Sequence, residues 1–354
     1  MSQNKPHIVR KQETELLSDI KKALGEPEKS PLMFYTWGMG GVGKSTLLEK
    51  IQEKLENHYG DEIIFTKLSF GATDDTPLRV MEWLNGSLPK PRFFSFGKSD
   101  PFTDKYTSYK QTLHVLETSP TEGKETVTAD QIELVRKLSK LVVTTGILGS
   151  QVASGNPFSL QVASGTKPIT DKGVDAVVDG SVTALSLKDE LLLRHQTTKK
   201  DKALQELMLE PLLKLTEAFV ESLVSRSKKK SIVLILDTFE KASVDIDTWL
   251  RQFFLVNSKL KSSNVRVVIA GRYRLGRREG WKDLTTSSAS RLFQEFPLNE
   301  FDKDQTKQYL TEIGITDKND IRKLQHKTKG LPFHLDLVRQ DKEDGEPINW
   351  ALVN

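Results

Sequence analysis

Residues 35–48 read YTWGMGGVGKSTLL, and this stretch decides the fold. Its centre, GMGGVGKS at residues 38–45, sets glycine, four further residues, glycine, lysine and a hydroxyl residue at fixed spacing. Glycines let backbone N–H groups point inward without a Cβ in the way, and such amides beside a helix N-terminus form an anion cradle. The spacing therefore predicts a phosphate-binding loop between a strand and a helix.

Each position of this loop has a predicted part in nucleotide binding. Lys44 places a positive charge against the β- and γ-phosphates, the Ser45 hydroxyl is a ligand for Mg²⁺, and Thr46 is placed to contact the α-phosphate. The alternative, a glycine-rich turn without a ligand, is disfavoured by the strand before the loop and the helix after it. The predicted nucleotide contacts are Gly38, Met39, Gly40, Gly41, Val42, Gly43, Lys44, Ser45 and Thr46.

The apolar pattern on either side of the loop predicts a parallel sheet. Strands are expected at residues 31–37, 62–70, 231–237, 265–271 and 291–298. The third of these runs is apolar throughout, as a strand covered by helices on both faces requires, and the fifth alternates, which suits an edge strand. Because helical patterns separate the runs, the predicted class is α/β, a five-stranded parallel P-loop sheet with helices on both faces.

Three parts are expected along the chain: an N-terminal helical segment at 1–30, the sheet domain at 31–298, and a small helical lid subdomain at 299–354. Within the sheet domain, residues 71–230 separate the second and third strands, far more than the dozen or so residues that a crossover needs. This insertion must therefore carry structure of its own.

Helical patterns within the insertion cover residues 129–143 and 201–226, with a break expected at Pro211. Between them, residues 144–185 are rich in small residues and contain the pentapeptide QVASG twice. They are predicted to form a flexible loop or a small hairpin, either a tolerated insertion or a gate.

Composition narrows the class of protein. With 354 residues, 37% hydrophobic and 28% charged, the chain is expected to be soluble and to bury a large core. A net charge of +4 is too small at this length to indicate nucleic-acid binding by itself. The absence of cysteine excludes disulfides and a cysteine nucleophile and fits a cytoplasmic location. No apolar run reaches the roughly 18 residues of a membrane span, so no membrane association is expected.

Two further strands end in residues suited to a nucleotide site. Asp237 ends the apolar third strand, at the edge where open α/β sheets bind ligands, and is predicted to be a second magnesium ligand beside Ser45. Glu240 on the following loop can orient or deprotonate an attacking water. Arg272 ends the fourth strand and can stabilise charge on the transferred group or report a γ-phosphate. Lys44, Glu240 and Arg272 are thus the predicted catalytic residues, with a solvated surface role as the alternative for the last two.

Three more arginines follow Arg272 in the sequence, and they are expected to be solvated or to pair with a neighbouring subunit: Arg274, Arg277 and Arg278.

Together these motifs resemble the STAND class of signalling P-loop NTPases, which includes the NB-ARC and NACHT proteins. GMGGVGKSTLL (38–48) is similar to the phosphate loop of that class, and LILDTFE (234–240) to its second motif. VVIAGRYR (267–274) is similar to the strand that ends in a sensor arginine, which implies that role for Arg272.

The resemblance extends to both ends of the chain. KGLPFHLDLV (329–338) resembles the Gly-Leu-Pro motif of the small helical domain, where the proline packs against adenine, and this implies a base contact at Pro332. HIVRKQETEL (7–16) resembles the segment that covers base and ribose, which implies contacts at Ile8 and Val9. The family's usual Gly-Arg-Glu is replaced there by Arg10, Lys11 and Gln12.

What the resemblance implies is a switch that is closed with ADP, opens and assembles with ATP, and is reset by slow hydrolysis. The implied cofactors are ATP or ADP with Mg²⁺, ATP being preferred over GTP. The implied partners are further copies of this chain, in a nucleotide-dependent homo-oligomer, or an effector or sensor protein in signalling or defence. The winged-helix domain and repeat sensor of the class do not follow before Asn354, so either the sequence is a fragment with a truncated lid or partner recognition lies elsewhere.

Other classes of function stay open at this point. An AAA-like remodeller or nucleic-acid-stimulated ATPase would use the basic residues at 272–278, 199–202 and 228–230, but aromatic residues for base stacking are missing there except Tyr273. Nucleic acid is therefore the disfavoured partner. A small-molecule kinase would need an acceptor-site motif, which we do not find. A scaffold that binds nucleotide without turnover would not need both Asp237 and Glu240.

Overall fold

The computed structural model describes residues 6–71, 76–89, 100–118, 201–278, 280–282, 284 and 292–348. The helix predicted at 129–143 and the small-residue segment at 144–185 lie outside these residues. None of the helices in the described part of the chain is long and apolar enough to cross a membrane.

Five strands form one parallel sheet in the order β2-β3-β4-β1-β5. The strands are β1 (Met33–Trp37), β2 (Ile63–Ser69), β3 (Ser231–Asp237), β4 (Val265–Gly271) and β5 (Phe293–Pro297). The predicted class, strand number and parallel pairing are confirmed, and β5 is an edge strand as its alternation indicated. Because β1, β3 and β4 are neighbours in the centre, the loops that follow them meet at one edge of the sheet.

Helices cover the sheet on both faces. On one face lie α1 (Lys11–Gly25) and α2 (Lys44–Tyr59). On the other lie α3 (Pro77–Ser87), α4 (Pro101–Thr118), α5 (Lys202–Leu209), α6 (Pro211–Ser227), α7 (Val244–Trp249), which continues into a π-helical turn at Leu250–Phe254, and α8 (Ser258–Lys261). Strand β3 sends Leu234 and Leu236 into one core and Val233 and Ile235 into the other, which is why it is apolar at every position. The predicted break at Pro211 separates α5 from α6, with the proline in the first turn of α6.

A buried ion pair joins the helices of the insertion. Arg226 at the end of α6 donates to Asp100 at 3.0 Å, and the Asn85 amide at the end of α3 donates to the same carboxylate at 2.9 Å. Burial alone would raise the pKa of Asp100, but Arg226 and side-chain hydrogen bonds from Ser222, Asn85 and Thr103 outweigh it and hold the pKa below its usual value. The end of α3 and the start of α4 are therefore held together beside the end of α6.

The C-terminal helices form a small body with its own core. They are α9 (Lys303–Glu312), α10 (Lys318–Thr328) and α11 (Pro332–Glu343), and we call them the lid. Asp302 and Gln305 form a capping box at the start of α9. Ile8 of the N-terminal segment is buried in the same core as Leu324 and Leu335, so the segment before α1 packs on the lid.

Candidate functional site

The phosphate loop joins β1 to α2 and is folded tightly on itself. The Lys44 ammonium donates to the carbonyls of Gly38 and Met39 at 2.7 and 2.8 Å. A Cβ on Gly38 would lie 2.2 Å from the carbonyl oxygen of Leu298, so only glycine fits at the start of the loop. Lys44 thus lies across the loop, where it can meet an anion held by the loop amides.

Charges around the loop act on Lys44. Burial lowers the pKa of the Lys44 ammonium below its usual value, with Glu240 and Asp237 opposing the shift and Arg272 adding to it. Since all three predicted partners influence one ammonium group, the loop, the end of β3 and the end of β4 form a single electrostatic site.

Asp237 is buried at the last position of β3, and its Oδ1 accepts the N–H of Thr238 at 2.8 Å. Thr238 has φ +58°, an unusual conformation for a β-branched residue, and such strain costs roughly 1–3 kcal/mol and clusters at functional sites. This turn leads into a 3₁₀ turn at Phe239–Lys241 and so places Glu240 beside the loop.

A magnesium ion fits the residues present. The described residues contain no group of three or more His, Cys, Asp or Glu that could hold a metal by themselves. Ser45 and Asp237 both line the cavity described below, and Mg²⁺ characteristically uses one or two protein oxygens together with substrate phosphates and water.

Glu240 and Arg272 meet in a direct ion pair. The Arg272 Nε donates to Glu240 Oε1 at 2.9 Å, with 11% of the Glu240 side chain exposed and 52% of the Arg272 side chain. The other carboxylate oxygen, Oε2, is buried and has no hydrogen-bond partner among the described residues. The carboxylate therefore keeps one acceptor atom for a donor from outside the described residues.

The arginines that follow are engaged within the chain more than expected. Arg274 donates to Glu295 on β5 at 3.0 Å, and Arg278 lies 3.7 Å from Asp247. Both side chains stay about half exposed to solvent, as expected, and the acids they pair with lie in this chain. The order β4-β1-β5 brings Glu295 within reach of Arg274. Arg277 makes no ion pair with any residue that the structure describes.

A cavity of about 320 Å³ runs from the loop to the lid, within the size range of small-molecule sites. The predicted residues that line it are Ile8, Gly40, Gly41, Gly43, Lys44, Ser45, Thr46, Asp237, Glu240, Arg272 and Pro332. Gly38, Met39 and Val42 of the loop do not line it, and neither does Val9, whose residue surface is 53% exposed.

Arg10 is the main site residue that the sequence did not reveal. It donates to the carbonyls of Val42 in the loop at 2.8 Å and of Asn299 before the lid at 3.0 Å, and its guanidinium lies 4.4 Å from the Phe301 ring centre. Burial lowers the pKa of this guanidinium to about 10, against the opposing effect of Glu13 and Glu300. In the sequence, Arg10 was connected to the site only because it lies in segment 7–16, which resembles the family's base-covering motif.

Glu13 was missed as well. It is buried in the wall of the cavity, where it pairs with His7 at 2.9 Å and with Lys54 of α2. The sequence predicted only a helical segment in this region, and nothing in it marked a buried carboxylate.

The lid touches the phosphate loop directly. The Phe333 N–H in the first turn of α11 donates to the Gly41 carbonyl at 3.1 Å. Gly41 has φ +79°, and a Cβ there would lie 2.7 Å from the Phe333 Cβ. Tyr309 and Asp336 of the lid also line the cavity. The site thus has one wall from the sheet domain and one from the lid.

The parallel sheet, the glycine loop after β1 and the acidic end of β3, which β4 separates from β1, are those of the P-loop NTPase fold. No protein-family model matches the chain, and a search of curated proteins gave no match.

Solved structures similar to the chain include the Walker-type ATPase of Pyrococcus abyssi, with TM-score 0.38 and 13% identity over 98% of this chain and 70% of that one. A signal transduction ATPase with numerous domains (STAND) and a tetratricopeptide repeat sensor from Pyrococcus horikoshii gives TM-score 0.38 and 12% identity over 96% of this chain. This chain spans 31% of the length of that protein. The ORC2 protein of Aeropyrum pernix, solved as ADPNP–ADP complexes, gives TM-score 0.43 and 11% identity over 100% of this chain and 68% of that one.

Proposed function

We propose that this protein is an ATP-binding and slowly ATP-hydrolysing switch of the STAND kind, whose ADP or ATP state controls its conformation and assembly. The observation that carries the proposal is the shared cavity, with the phosphate loop on one side and α11 of the lid on the other. A ligand held by two bodies biases their relative position according to what each body contacts.

In the proposed complex, the loop amides and Lys44 hold the β- and γ-phosphates, and Thr46 contacts the α-phosphate. Ser45 and Asp237 would hold Mg²⁺, which would neutralise negative charge on the phosphates. Ile8 and Pro332, which both line the cavity, contact the base, and Arg10 fixes the backbone between loop and lid.

For hydrolysis, Glu240 takes a proton from a water whose oxygen attacks the γ-phosphorus. The bond from that phosphorus to the β–γ bridging oxygen breaks, and ADP and inorganic phosphate are the products. Arg272 stabilises negative charge on the transferred group. Asp237 at the end of β3 and Glu240 in the turn that follows both line the cavity, which supports turnover rather than binding alone.

The test is a competition titration with a fluorescent ATP analogue. We expect ATP to displace the probe and GTP to do so more weakly, and we expect Lys44→Ala to abolish binding. Lys50→Ala serves as the matched control, because Lys50 lies on the same helix but pairs with Glu53 outside the cavity. Preferred binding of GTP, or full binding by Lys44→Ala, would contradict the proposal.

A second candidate, a nucleic-acid-stimulated ATPase of the AAA-like kind, is favoured by one observation. On α10, Arg322, Lys323, His326 and Lys327 line a shallow groove of about 570 Å³. Duplex DNA should then stimulate ATP hydrolysis, with a steep loss as salt is raised. An Arg322→Glu, Lys323→Glu double variant should lose that stimulation, while the switch proposal expects DNA to have no effect on turnover.

A further inference from the structure

Arg272 is held in an ion pair by another residue of the same chain. Its Nε is held by Glu240 at 2.9 Å. The acid of this pair is shielded, with 11% of its side chain exposed, whereas half of the arginine side chain is exposed. If the pair separates, we expect Arg272 to be the partner that moves, because its side chain is the more exposed of the two.

The same guanidinium lies against the phosphate loop. A Cβ on Gly40 would be 3.5 Å from the Arg272 Nη2, so no side chain separates the guanidinium from the loop. Glu240, Arg272 and Lys44 all line the one cavity. A γ-phosphate held by Lys44 would thus lie within reach of the same guanidinium that Glu240 holds.

Phosphate and carboxylate are both ligands that a guanidinium binds through paired N–H donors. ADP lacks the γ-phosphate and would leave the Glu240–Arg272 pair intact. ATP would present a second anion to the same guanidinium. The two nucleotides therefore differ in whether binding breaks an ion pair.

Resting on the proposed function, we propose that Glu240 sets the preference between ATP and ADP by competing with the γ-phosphate for Arg272. In the ADP state, Glu240 is neutralised by its pair and cannot serve as a base. In the ATP state, Arg272 moves to the phosphate and leaves Glu240 without its counter-ion, ready to accept the proton of the attacking water. The exchange of Arg272 from Glu240 to the γ-phosphate would then both detect that phosphate and prepare Glu240 for hydrolysis.

The size of the effect follows from the exposure of the pair. An ion pair with one half-exposed partner is at the upper end of the range for surface pairs, which corresponds to roughly a fivefold change in an equilibrium constant. Removing Glu240 as a competitor should therefore raise the ratio of ATP-analogue affinity to ADP affinity about fivefold.

Titration calorimetry on the full chain with Mg²⁺ provides the test, using ADP and the non-hydrolysable β,γ-imido analogue of ATP. The affinity ratio is measured for the wild type, Glu240→Gln, Arg272→Met and the double variant. We expect Glu240→Gln to raise the ratio about fivefold in the wild-type background and to have little effect in the Arg272→Met background.

The matched control is Glu295→Gln. Glu295 holds Arg274 in a pair of nearly the same geometry, at 3.0 Å with side-chain exposures of 14% and 48%, but neither residue lines the cavity. This variant should leave the ratio unchanged. Glu240→Asp is the second variant, since it keeps the charge while withdrawing the carboxylate from Arg272, and it too should raise the ratio.

Three results would overturn the inference. A lower ratio in Glu240→Gln would mean that Glu240 positions Arg272 for the phosphate rather than competing with it. An equal rise in the Arg272→Met background would mean simple repulsion between carboxylate and phosphate. A wild type that binds neither nucleotide would remove the proposed function itself, whereas the first two results would leave it standing.

Discussion

Replacing Arg10 with methionine should lower the free energy of unfolding by about 2–3 kcal/mol and weaken nucleotide binding. The guanidinium makes two charge-assisted hydrogen bonds to carbonyls, of Val42 and Asn299, each worth about 1.5–3 kcal/mol. Its position over Phe301 adds about 0.5–1 kcal/mol. Burial of the charge, which lowers the guanidinium pKa to about 10, offsets several kcal/mol of the stabilisation from these contacts. Methionine keeps the apolar stem, so the net loss is smaller than the gross interaction.

Urea unfolding and ADP titration of the two proteins measure this effect. Loss of Arg10 should also speed hydrogen exchange in the loop around Val42, because a contact to the loop backbone is removed. Arg277→Met is the control, since Arg277 is exposed and has no ion pair with the described residues, and it should change stability by less than about 0.5 kcal/mol. An Arg10→Met protein within about 0.5 kcal/mol of wild type, with unchanged ADP affinity, would refute the assignment of Arg10 as the tie between loop and lid.

Three further predictions concern the insertion, the lid contact and catalysis. In thermal melts, Asp100→Asn should destabilise the protein by about 2–3 kcal/mol, because it leaves Arg226 buried without its counter-ion. The control Lys110→Met removes an exposed pair with Glu82 and should cost less than about 1 kcal/mol. Since the folded-state pKa of Asp100 lies below its unfolded value, the stability from this group is present at neutral pH and lost as pH falls through the folded pKa, and Asp100→Asn should flatten that acid limb. Gly41→Ala, with φ +79° and a Cβ 2.7 Å from Phe333, should raise the Kd for ADP about tenfold by displacing the lid, and Phe333→Ala should recover part of that loss if the clash is its cause. Glu240→Gln should retain nucleotide binding but lose at least 100-fold in the rate of phosphate release, and normal turnover would show that another group activates the water.

The sheet could be predicted because its strands differ from their surroundings in local pattern. Strand β3 is apolar from Ile232 to Leu236 because both of its faces are covered, and this pattern can be recognised without knowing which strands lie beside it. The phosphate loop is likewise local, because all its ligand groups lie within a few consecutive residues. Asp237 could be placed at the binding edge once β3 was recognised as a parallel strand.

The contacts that close the site could not be read from the sequence in the same way. Arg10 and Val42 are 32 residues apart, and Arg10 and Asn299 are 289 apart, so no periodicity connects them. The pair between Glu240 and Arg272 depends on β3 and β4 being adjacent, which strand patterns alone do not determine. Thr238 at φ +58° has no sequence signal, because threonine is disfavoured in that conformation and local preference is overridden there.

The most direct test of the central claim, that nucleotide state sets the position of the lid on the phosphate loop, is a distance between the two bodies. Because the chain has no cysteine, spin labels can be placed at will through Asn57→Cys on α2 and Lys323→Cys on α10, both exposed. With ADP, the distance distribution should be narrow and centred on the separation seen in the structure. With the β,γ-imido analogue of ATP, it should shift to longer distances, and identical distributions with the two nucleotides would contradict the account.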